Sequence, residues 1–188
     1  MTFGAGTRRA MTTQQSRAIA TLSAASAAAI LFIATAQYGG YRINLTPSGS
    51  LGLWRIVPLY RPPDVEDLVF ICPPETVEMR EGRARGYLRS GLCPGGVAPF
   101  IKAVAAVAGQ HVKIDANVKV DGRAIPSSEI EQRDGKGRLL SSFRGGAVPW
   151  GYVFLHSPSV GSYDSRYFGP VPASGILGLA EEVFTYAP

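Results

Sequence analysis

The chain has 188 residues, a length that fits one domain with an appendage or two very small domains. Its 22 Gly and 14 Pro favour strands and loops over long helices. The 19 Lys and Arg residues outnumber the 14 Asp and Glu residues, which gives a net charge of +5. The arginines are scattered, however, and no RNA-binding aromatic motif accompanies them, so nucleic acid is not a predicted partner.

The N-terminal part of the chain combines a basic tail with an apolar segment. Residues 1–17 contain three arginines and no acidic residue, whereas Ala, Ile, Leu and Phe dominate the uncharged residues 18–36. About 20 apolar residues span a bilayer as a helix, and a basic flank stays in the cytoplasm. The pattern predicts a cytoplasmic tail over residues 1–17, a membrane anchor over 18–38 and an exported domain over 39–188.

The exported part is expected on the periplasmic side of the inner membrane, held at the lipid bilayer by this single helix. A cleaved signal peptide is the alternative, because Ala34-Thr35-Ala36 resembles a small-residue cleavage site. Both interpretations place residues 39–188 outside the cytoplasm.

Short apolar runs separated by turn residues follow from Tyr41 onwards. They predict a mainly β fold, an antiparallel barrel-like or sandwich domain on one membrane helix. A short exposed helix is expected within the charged residues 76–88, and Asp121-Gly122 is typical of a hairpin turn. The predicted strands occupy residues 67–72, 100–107, 112–114, 118–120, 123–125 and 148–155, with one or two more within 176–186.

The chain contains two cysteines, Cys72 and Cys93. In an exported domain two bridgeable cysteines favour a disulfide, which here closes a loop of about 20 residues and contributes roughly 3 kcal/mol. Two unrelated thiols are the alternative, and the compartment decides between the two interpretations.

Three small hydroxyl side chains, Thr46, Ser48 and Ser50, lie in a Pro- and Gly-containing stretch shortly after the apolar segment. Pro lacks an amide proton and Gly is conformationally loose, so this stretch cannot form a regular helix. A stiff turn of this kind can present one hydroxyl as a nucleophile at the edge of a domain. Ordinary turn residues are the alternative interpretation.

Lys102 stands at the centre of the apolar run over residues 99–107. Strand alternation places it on one face with Phe100 and Val104, where loss of hydration lowers the pKa of its ammonium group. A neutral lysine can take the proton of a hydroxyl and make it nucleophilic. The alternative is an edge-strand lysine that hinders aggregation or one whose amine reaches water.

A polar segment near the C-terminus carries the remaining candidates. Asp164 and Arg166 are two residues apart, so an extended segment places both on one face, together with Ser162. Ser162 can then hydrogen-bond a nearby amine. An ion-paired loop is the alternative interpretation of Asp164 and Arg166.

Taken together, these stretches resemble the serine–lysine signal peptidase family, and more closely its TraF-type conjugative-transfer branch. The resemblance extends from Tyr41 to the C-terminus and follows the order anchor, serine segment, lysine strand, Asp-Ser-Arg box. Its most specific parts are Lys-Ala-Val-Ala-Ala-Val-Ala-Gly over residues 102–109, Ser-Tyr-Asp-Ser-Arg-Tyr-Phe-Gly-Pro-Val-Pro over 162–172, and Arg-Gly-Tyr-Leu over 85–88 followed by Cys-Pro-Gly-Gly over 93–96.

The resemblance implies a membrane-anchored serine endopeptidase that removes leader peptides from exported precursors, with pilin precursors of a conjugative system as the implied substrates. By position, Ser48 corresponds to the nucleophile and Lys102 to the general base. The further roles implied are those of oxyanion donors (Thr46 and the amide of Ser48), of a group that orients the lysine (Ser162) and of a bracing pair (Asp164 and Arg166). No cofactor and no metal are implied.

Three positions depart from the pattern of the branch: Ser50 stands where Pro is usual, Ala103 where Arg is common, and His156-Ser157-Pro158 where Gly-Asp-Asn is usual. The first departure creates a second register, in which Ser50 is the alternative nucleophile and Ser48 serves the oxyanion. Asn44 upstream and Gly52-Leu53-Trp54 downstream fit the Ser48 register better.

Other chemistries and functions compete with this interpretation. A conventional triad of Ser48, His156 and Asp164 is conceivable, but a histidine beside a turn is more often a surface or satisfied residue, and His111 offers less still. Two histidines without paired Cys/His spacing do not favour zinc. The alternative functions are a housekeeping leader peptidase with broad substrates and a catalytically inactive assembly component of a pilus or secretion machine.

Overall fold

The computed structural model describes residues 12–187, and the chain divides into two compact units, Met1–Gly40 and Tyr41–Pro188. In the first unit, helix α1 occupies Thr13–Tyr38. Its 26 residues extend about 39 Å at 1.5 Å per residue. An 18-residue window of the helix has a mean hydropathy of 2.0, so the helix is long and apolar enough to cross a membrane, which is consistent with single-pass anchoring.

Helix α1 begins at residue 13 rather than at residue 18, where the predicted anchor begins. The cause is a capping box: the Thr12 hydroxyl accepts from the Gln15 amide, and the Gln15 side chain accepts from the Thr12 amide. The last residues of the predicted basic tail therefore belong to the helix. The remainder of that tail, residues 1–11, lies outside the described residues.

The second unit consists mainly of strands, in agreement with the sequence-based prediction. Its helices are α2 (Val77–Ala84) and α3 (Ser165–Phe168). Its strands are β1 (Tyr41–Asn44), β2 (Leu51–Val57), β3 (Leu68–Ile71), β4 (Ser90–Cys93), β5 (Phe100–Val107), β6 (His111–Ile114), β7 (Asn117–Val120), β8 (Arg123–Glu129), β9 (Gly146–Ala147), β10 (Tyr152–His156), β11 (Val171–Pro172) and β12 (Ile176–Tyr186).

Eleven of these strands pair antiparallel in two sheets, and β4 lies outside both. The larger sheet has seven strands in the order β1-β2-β12-β3-β5-β10-β11, and the smaller has four in the order β8-β7-β6-β9. The prediction of an antiparallel, mainly β domain is thus confirmed. Strand β5 is interior to the larger sheet, between β3 and β10, and this position determines the surroundings of Lys102.

Buried apolar side chains form two clusters. Strands β5 and β10 contribute to both: Val104 and Leu155 belong to the first cluster, Ala106 and Phe154 to the second. In β10 the two residues are adjacent and therefore face opposite sides of the sheet. Full burial of one such side chain contributes about 1.5–3 kcal/mol. The two strands therefore join the packing of the larger sheet to that of the smaller one.

Among the predicted strands, those over residues 123–125 and 148–155 differ most from the observed ones. The first continues to Glu129 as β8. The strand expected over residues 148–155 begins only at Tyr152, because a turn precedes it. The Tyr152 amide closes this turn with a 3.1 Å hydrogen bond to the Pro149 carbonyl, and Gly151 adopts a φ of 78° within it. The C-terminal segment, where one or two strands are predicted, forms one strand, β12, with local bulges. The predicted hairpin turn at Asp121-Gly122 is confirmed, with both residues at positive φ.

Cys72 and Cys93 form the predicted disulfide, with their Cα atoms 5.5 Å apart. The bridge closes a segment that contains α2, the helix expected within residues 76–88. Thr76 caps the N-terminus of this helix, because its hydroxyl accepts a hydrogen bond from the Met79 amide. Met79 itself is buried in the first apolar cluster, so the helix is exposed on one side and packed on the other.

Candidate active site

Lys102 lies on the interior strand β5, opposite Val69 of β3, and is 4% exposed. Burial lowers the pKa of its ammonium group to about 8; the negative charge of Asp164 opposes this shift and the positive charge of Arg166 adds to it. Because this side chain is buried and its amine is bonded inside the protein, the alternatives of a lysine that hinders aggregation at a strand edge and of one that reaches water are wrong.

The Lys102 amine reaches two hydroxyl groups. Its Nζ donates to Ser162 Oγ at 2.6 Å and to Ser48 Oγ at 3.2 Å. Within the described residues, these two hydroxyls are its hydrogen-bond partners, and Ser50 is not among them. A buried amine beside a serine hydroxyl can take the proton of that hydroxyl, which is the chemistry that a serine hydrolase requires.

Residues 45–50, called here the serine loop, connect β1 to β2 and present Ser48. Asn44 organises the loop from inside: its Nδ2 donates to the carbonyl oxygens of Ser50 at 2.9 Å and Thr46 at 3.1 Å, and its Oδ1 accepts from the Thr46 amide at 3.0 Å. Trp54 Nε1 adds a 3.0 Å bond to the Ser50 carbonyl. These bonds satisfy backbone groups that a loop cannot pair within itself.

Thr46, the predicted oxyanion donor, lies in the serine loop as expected. Its hydroxyl group donates to Asn44 Oδ1. The hydroxyl proton is thus engaged within the loop rather than directed toward a substrate, and the oxyanion role of Thr46 remains a prediction.

Asp164 and Arg166 form a buried two-pronged ion pair, with Arg166 Nε 2.8 Å from Asp164 Oδ1 and Arg166 Nη2 2.9 Å from Oδ2. Burial acts to raise the pKa of Asp164, but its contacts with His156 and Arg166, together with the charge of Lys102, lower that pKa overall. The expected extended backbone is wrong: Asp164 caps the short helix α3 by accepting from the Arg166 amide at 3.1 Å.

Arg166 also braces the surrounding loops. Its guanidinium donates to the carbonyl oxygens of Glu129 at 2.9 Å, Ser162 at 3.2 Å and Ser159 at 3.3 Å. Glu129 belongs to the smaller sheet, so Arg166 connects that sheet to the segment that carries Ser162. The five donors of a guanidinium suit it to several carbonyls at once.

His156 lies beside this ion pair without completing a triad. Its Nδ1 is 3.6 Å from Asp164 Oδ2, and neither ring nitrogen has a hydrogen-bond partner in the described part of the chain. It is 6% exposed, so the expectation of a surface or satisfied histidine is wrong. His111 is exposed on β6 of the smaller sheet. Among residues 12–187, no group of three or more His, Cys, Asp or Glu is arranged to hold a metal ion.

Two contributions to the site do not follow from the sequence. Asn44 supports the Ser48 register in the sequence, and in the structure it also holds the serine loop. Ser157 is a departure from the family pattern in the sequence, and in the structure its hydroxyl donates to the Ser48 carbonyl at 2.6 Å. These partners are 109 residues apart, and no local pattern connects them.

Comparison with known proteins identifies the family of this chain. The sequence model of the family described as signal peptidase, peptidase S26, matches residues 14–185. A probable conjugal transfer protein TraF from Sinorhizobium fredii (strain NBRC 101917 / NGR234) is 65% identical over 167 residues, 89% of each chain. The conjugal transfer protein TraF of Agrobacterium tumefaciens (strain 15955) is 55% identical over 172 residues, 92% of this chain and 98% of the relative.

A crystal structure of a signal peptidase I from Enterococcus faecalis V583 aligns at a TM-score of 0.39 and 18% identity, over 63% of this chain and 97% of that one. The family match and the TraF relatives confirm the resemblance seen in the sequence. The chain belongs to the S26 family of signal peptidases, which are serine peptidases, and to its TraF branch.

Proposed function

We propose that the protein is a membrane-anchored serine endopeptidase in which Ser48 is the nucleophile and Lys102 the general base. The observation that carries this proposal is the 3.2 Å approach of Lys102 Nζ to Ser48 Oγ in a buried site. Because the pKa of Lys102 is about 8, a substantial fraction of the amine is neutral at slightly alkaline pH. Ser162 orients the amine through its 2.6 Å hydrogen bond.

The reaction divides into two proton-balanced steps. Ser48 Oγ attacks the scissile carbonyl carbon while Lys102 takes the hydroxyl proton, and Lys102 then gives that proton to the leaving amine as the C–N bond breaks. The product of this step is an ester between Ser48 and the new C-terminus. In the second step, Lys102 takes a proton from water, or from a second amine, as that group attacks the ester carbonyl. Lys102 then gives this proton to Ser48 Oγ as the ester C–O bond breaks.

The oxyanion of the tetrahedral intermediate requires hydrogen-bond donors. We assign this role to the backbone amide of Ser48, with the Thr46 hydroxyl as a second donor after it rotates away from Asn44 Oδ1. Loss of one such donor typically lowers the rate by roughly 10²–10³-fold. Asp164 and Arg166 brace Ser162 from behind rather than contact the substrate.

The substrate is expected to bind as an extended strand beside Lys102. The pairing of β10 with β5 ends at His156 opposite Ala103. On that side, residues 100–102 of β5 have no strand partner among the described residues. An extended peptide can add to such an edge through backbone hydrogen bonds, which brings its scissile bond close to both Lys102 and Ser48.

We assign the substrates to the exported precursors of a conjugative transfer system, with a propilin as the specific candidate. The relatives named for conjugal transfer, which cover most of this chain, support this assignment. The apolar helix α1 supports a membrane location, and the Cys72–Cys93 disulfide supports a periplasmic domain. Short side chains, typically Ala, are expected next to the cleavage site.

The test is cleavage of a leader-bearing propilin by the purified full-length protein in detergent micelles. Ser48→Ala and Lys102→Ala should each lower the rate at least 10⁴-fold, roughly the scale of losing a member of a catalytic pair. Ser50→Ala is the matched control, because Ser50 is also in the serine loop but makes no described hydrogen bond to Lys102.

Full activity in Ser48→Ala or Lys102→Ala would end this mechanism. Loss of activity in Ser50→Ala alone would move the nucleophile to Ser50. A wild-type protein that neither cleaves propilin nor reacts with a serine-directed acylating probe would instead support the inactive assembly component.

A further inference from the structure

We infer that Ser157 is a positioning residue for Ser48, an inference that rests on the proposed function. Ser157 directly follows β10 and is 3% exposed. Its hydroxyl donates to the Ser48 carbonyl at 2.6 Å, its amide donates to Asp164 Oδ2 at 3.1 Å, and its carbonyl accepts from Arg166 Nη2 at 3.5 Å. The residue thus connects the buried ion pair to the serine loop.

The bond to the Ser48 carbonyl controls the direction of the Ser48 hydroxyl. This carbonyl belongs to the peptide unit shared with Gly49, a residue without a Cβ and with wide conformational freedom. Fixing the plane of that peptide unit fixes ψ of Ser48 and therefore the direction of its Cα–Cβ bond toward Lys102. The bond from Asn44 Nδ2 to the Gly49 carbonyl is long, at 3.4 Å. The peptide unit between Ser48 and Gly49 therefore depends on the contact from Ser157.

The same ion pair positions the base. Arg166 Nη2 donates to the Ser162 carbonyl at 3.2 Å, and Ser162 Oγ accepts from Lys102 at 2.6 Å. One branch of the network therefore holds the base through Ser162, and the other holds the nucleophile through Ser157. The buried Asp164–Arg166 pair thus fixes the positions of Ser48 Oγ and Lys102 Nζ relative to each other. A misplacement of about 1 Å between reacting atoms can lower the rate roughly 10²-fold.

The two branches predict different effects on activity. Ser157 is not among the hydrogen-bond partners described for Lys102, so Ser157→Ala should leave the pKa of that amine unchanged while the nucleophile is misplaced. We expect kcat to fall about 10- to 100-fold with KM little changed, as for an interaction that acts on the chemical step. The pH at which the rate reaches half its plateau should remain that of the wild type.

The experiment compares Ser157→Ala and Ser157→Thr with Ser159→Ala in the full-length protein in micelles. Ser159 lies in the same loop, and its hydroxyl makes none of the hydrogen bonds described for residues 12–187. Titration with a serine-directed acylating probe gives the active fraction, so kcat is expressed per active site. Thermal unfolding of each variant separates a loss of positioning from a loss of fold.

A lowered kcat in Ser157→Ala with an unchanged pH profile, restored in part by the hydroxyl of Ser157→Thr, supports the inference. A kcat in Ser157→Ala equal to that of Ser159→Ala overturns it. A shifted pH profile in Ser157→Ala also overturns it, because the residue would then act through Lys102.

Failure of the proposed function would be recognised separately. If neither the wild type nor Ser48→Ala cleaves the substrate, the peptidase proposal fails. Amide hydrogen exchange over residues 46–50 then decides the role of Ser157. Faster exchange in Ser157→Ala than in Ser159→Ala then supports positioning of the loop, and equal exchange overturns it.

Discussion

Lys102 sets the pH dependence of the proposed reaction. Only the neutral amine can take the proton of Ser48, and burial lowers the pKa of Lys102 to about 8. Below that pH the rate kcat/KM should rise about tenfold per pH unit, and it should level off above about pH 9. Measurement of kcat/KM from pH 6 to 10 checks this expectation; a flat profile, or a half-maximum above pH 9, would contradict it.

The same titration should appear in the stability of the protein. The native pKa of Lys102 lies below the unfolded value, so between about pH 8 and pH 10.4 the unfolded state binds more protons and stability rises with pH. Lys102→Met is the control, because it removes the buried charge. It should raise the free energy of unfolding near pH 7 by about 3 kcal/mol, and this advantage should disappear toward pH 10.4 in urea titrations.

At the scale of elements, the disulfide-closed segment supports both halves of the site. Arg89, within this segment, donates to the Leu45 carbonyl of the serine loop at 2.9 Å. Helix α2 packs its Gly82 against the ring of Tyr163, where an added Cβ would lie 2.8 Å from Tyr163 Cε1. Tyr163 adjoins Ser162, the partner of Lys102. The segment closed by the bridge thus contacts both the loop that carries the nucleophile and the residue next to Ser162.

Removing the bridge should therefore affect stability and activity together. Cys72→Ser with Cys93→Ser opens a loop of 21 residues, and the loss in free energy of unfolding should be roughly 3 kcal/mol. Because Arg89 and α2 become less ordered, kcat should also fall at temperatures where the domain remains folded. Urea titration and propilin cleavage with and without dithiothreitol measure both effects.

The double serine variant provides its own control, since dithiothreitol should change the wild type but not this variant. An unchanged unfolding midpoint after reduction of the wild type would contradict the structural role of the bridge.

The strands were predictable because their burial alternates locally. Along β5, Lys102, Val104 and Ala106 are buried on alternate positions, as the apolar run indicated. The turn at Asp164 was not predictable from the same rule, because a spacing of two residues fits a strand as well as a helix cap. The cap forms because Arg166 folds back on Asp164 and Gly169, at a φ of 76°, ends the helical turn.

Tertiary contacts account for the remaining differences between prediction and structure. The burial of Lys102 depends on β3 and β10, two strands whose order in the sheet the sequence alone does not give. The polar contacts of the serine loop likewise come from Arg89 and Ser157, distant in sequence. The resemblance identifies the motif residues. The residues that hold them in place can be identified only from the folded structure.

For the whole molecule, the proposed chemistry requires the domain and its precursor substrate on the same side of the membrane. Residues 1–17 carry three arginines and no acidic residue, which favours a cytoplasmic N-terminus. The Cys72–Cys93 bridge favours an oxidising compartment for the domain. Both observations predict one crossing by α1, with the peptidase domain outside the cytoplasm.

Labelling of single introduced cysteines with a membrane-impermeant maleimide tests this orientation. Trp150→Cys places a thiol at a position that is 92% exposed in the domain, and Thr7→Cys places one in the basic tail. In intact spheroplasts Trp150→Cys should react, whereas Thr7→Cys should react only after permeabilisation. The wild type is the control, because its two cysteines form the disulfide and should not react. The reverse labelling pattern would contradict the orientation. A shortened chain that lacks the Thr7→Cys label after permeabilisation would identify residues 18–36 as a cleaved signal peptide, because cleavage removes the tail together with the apolar segment.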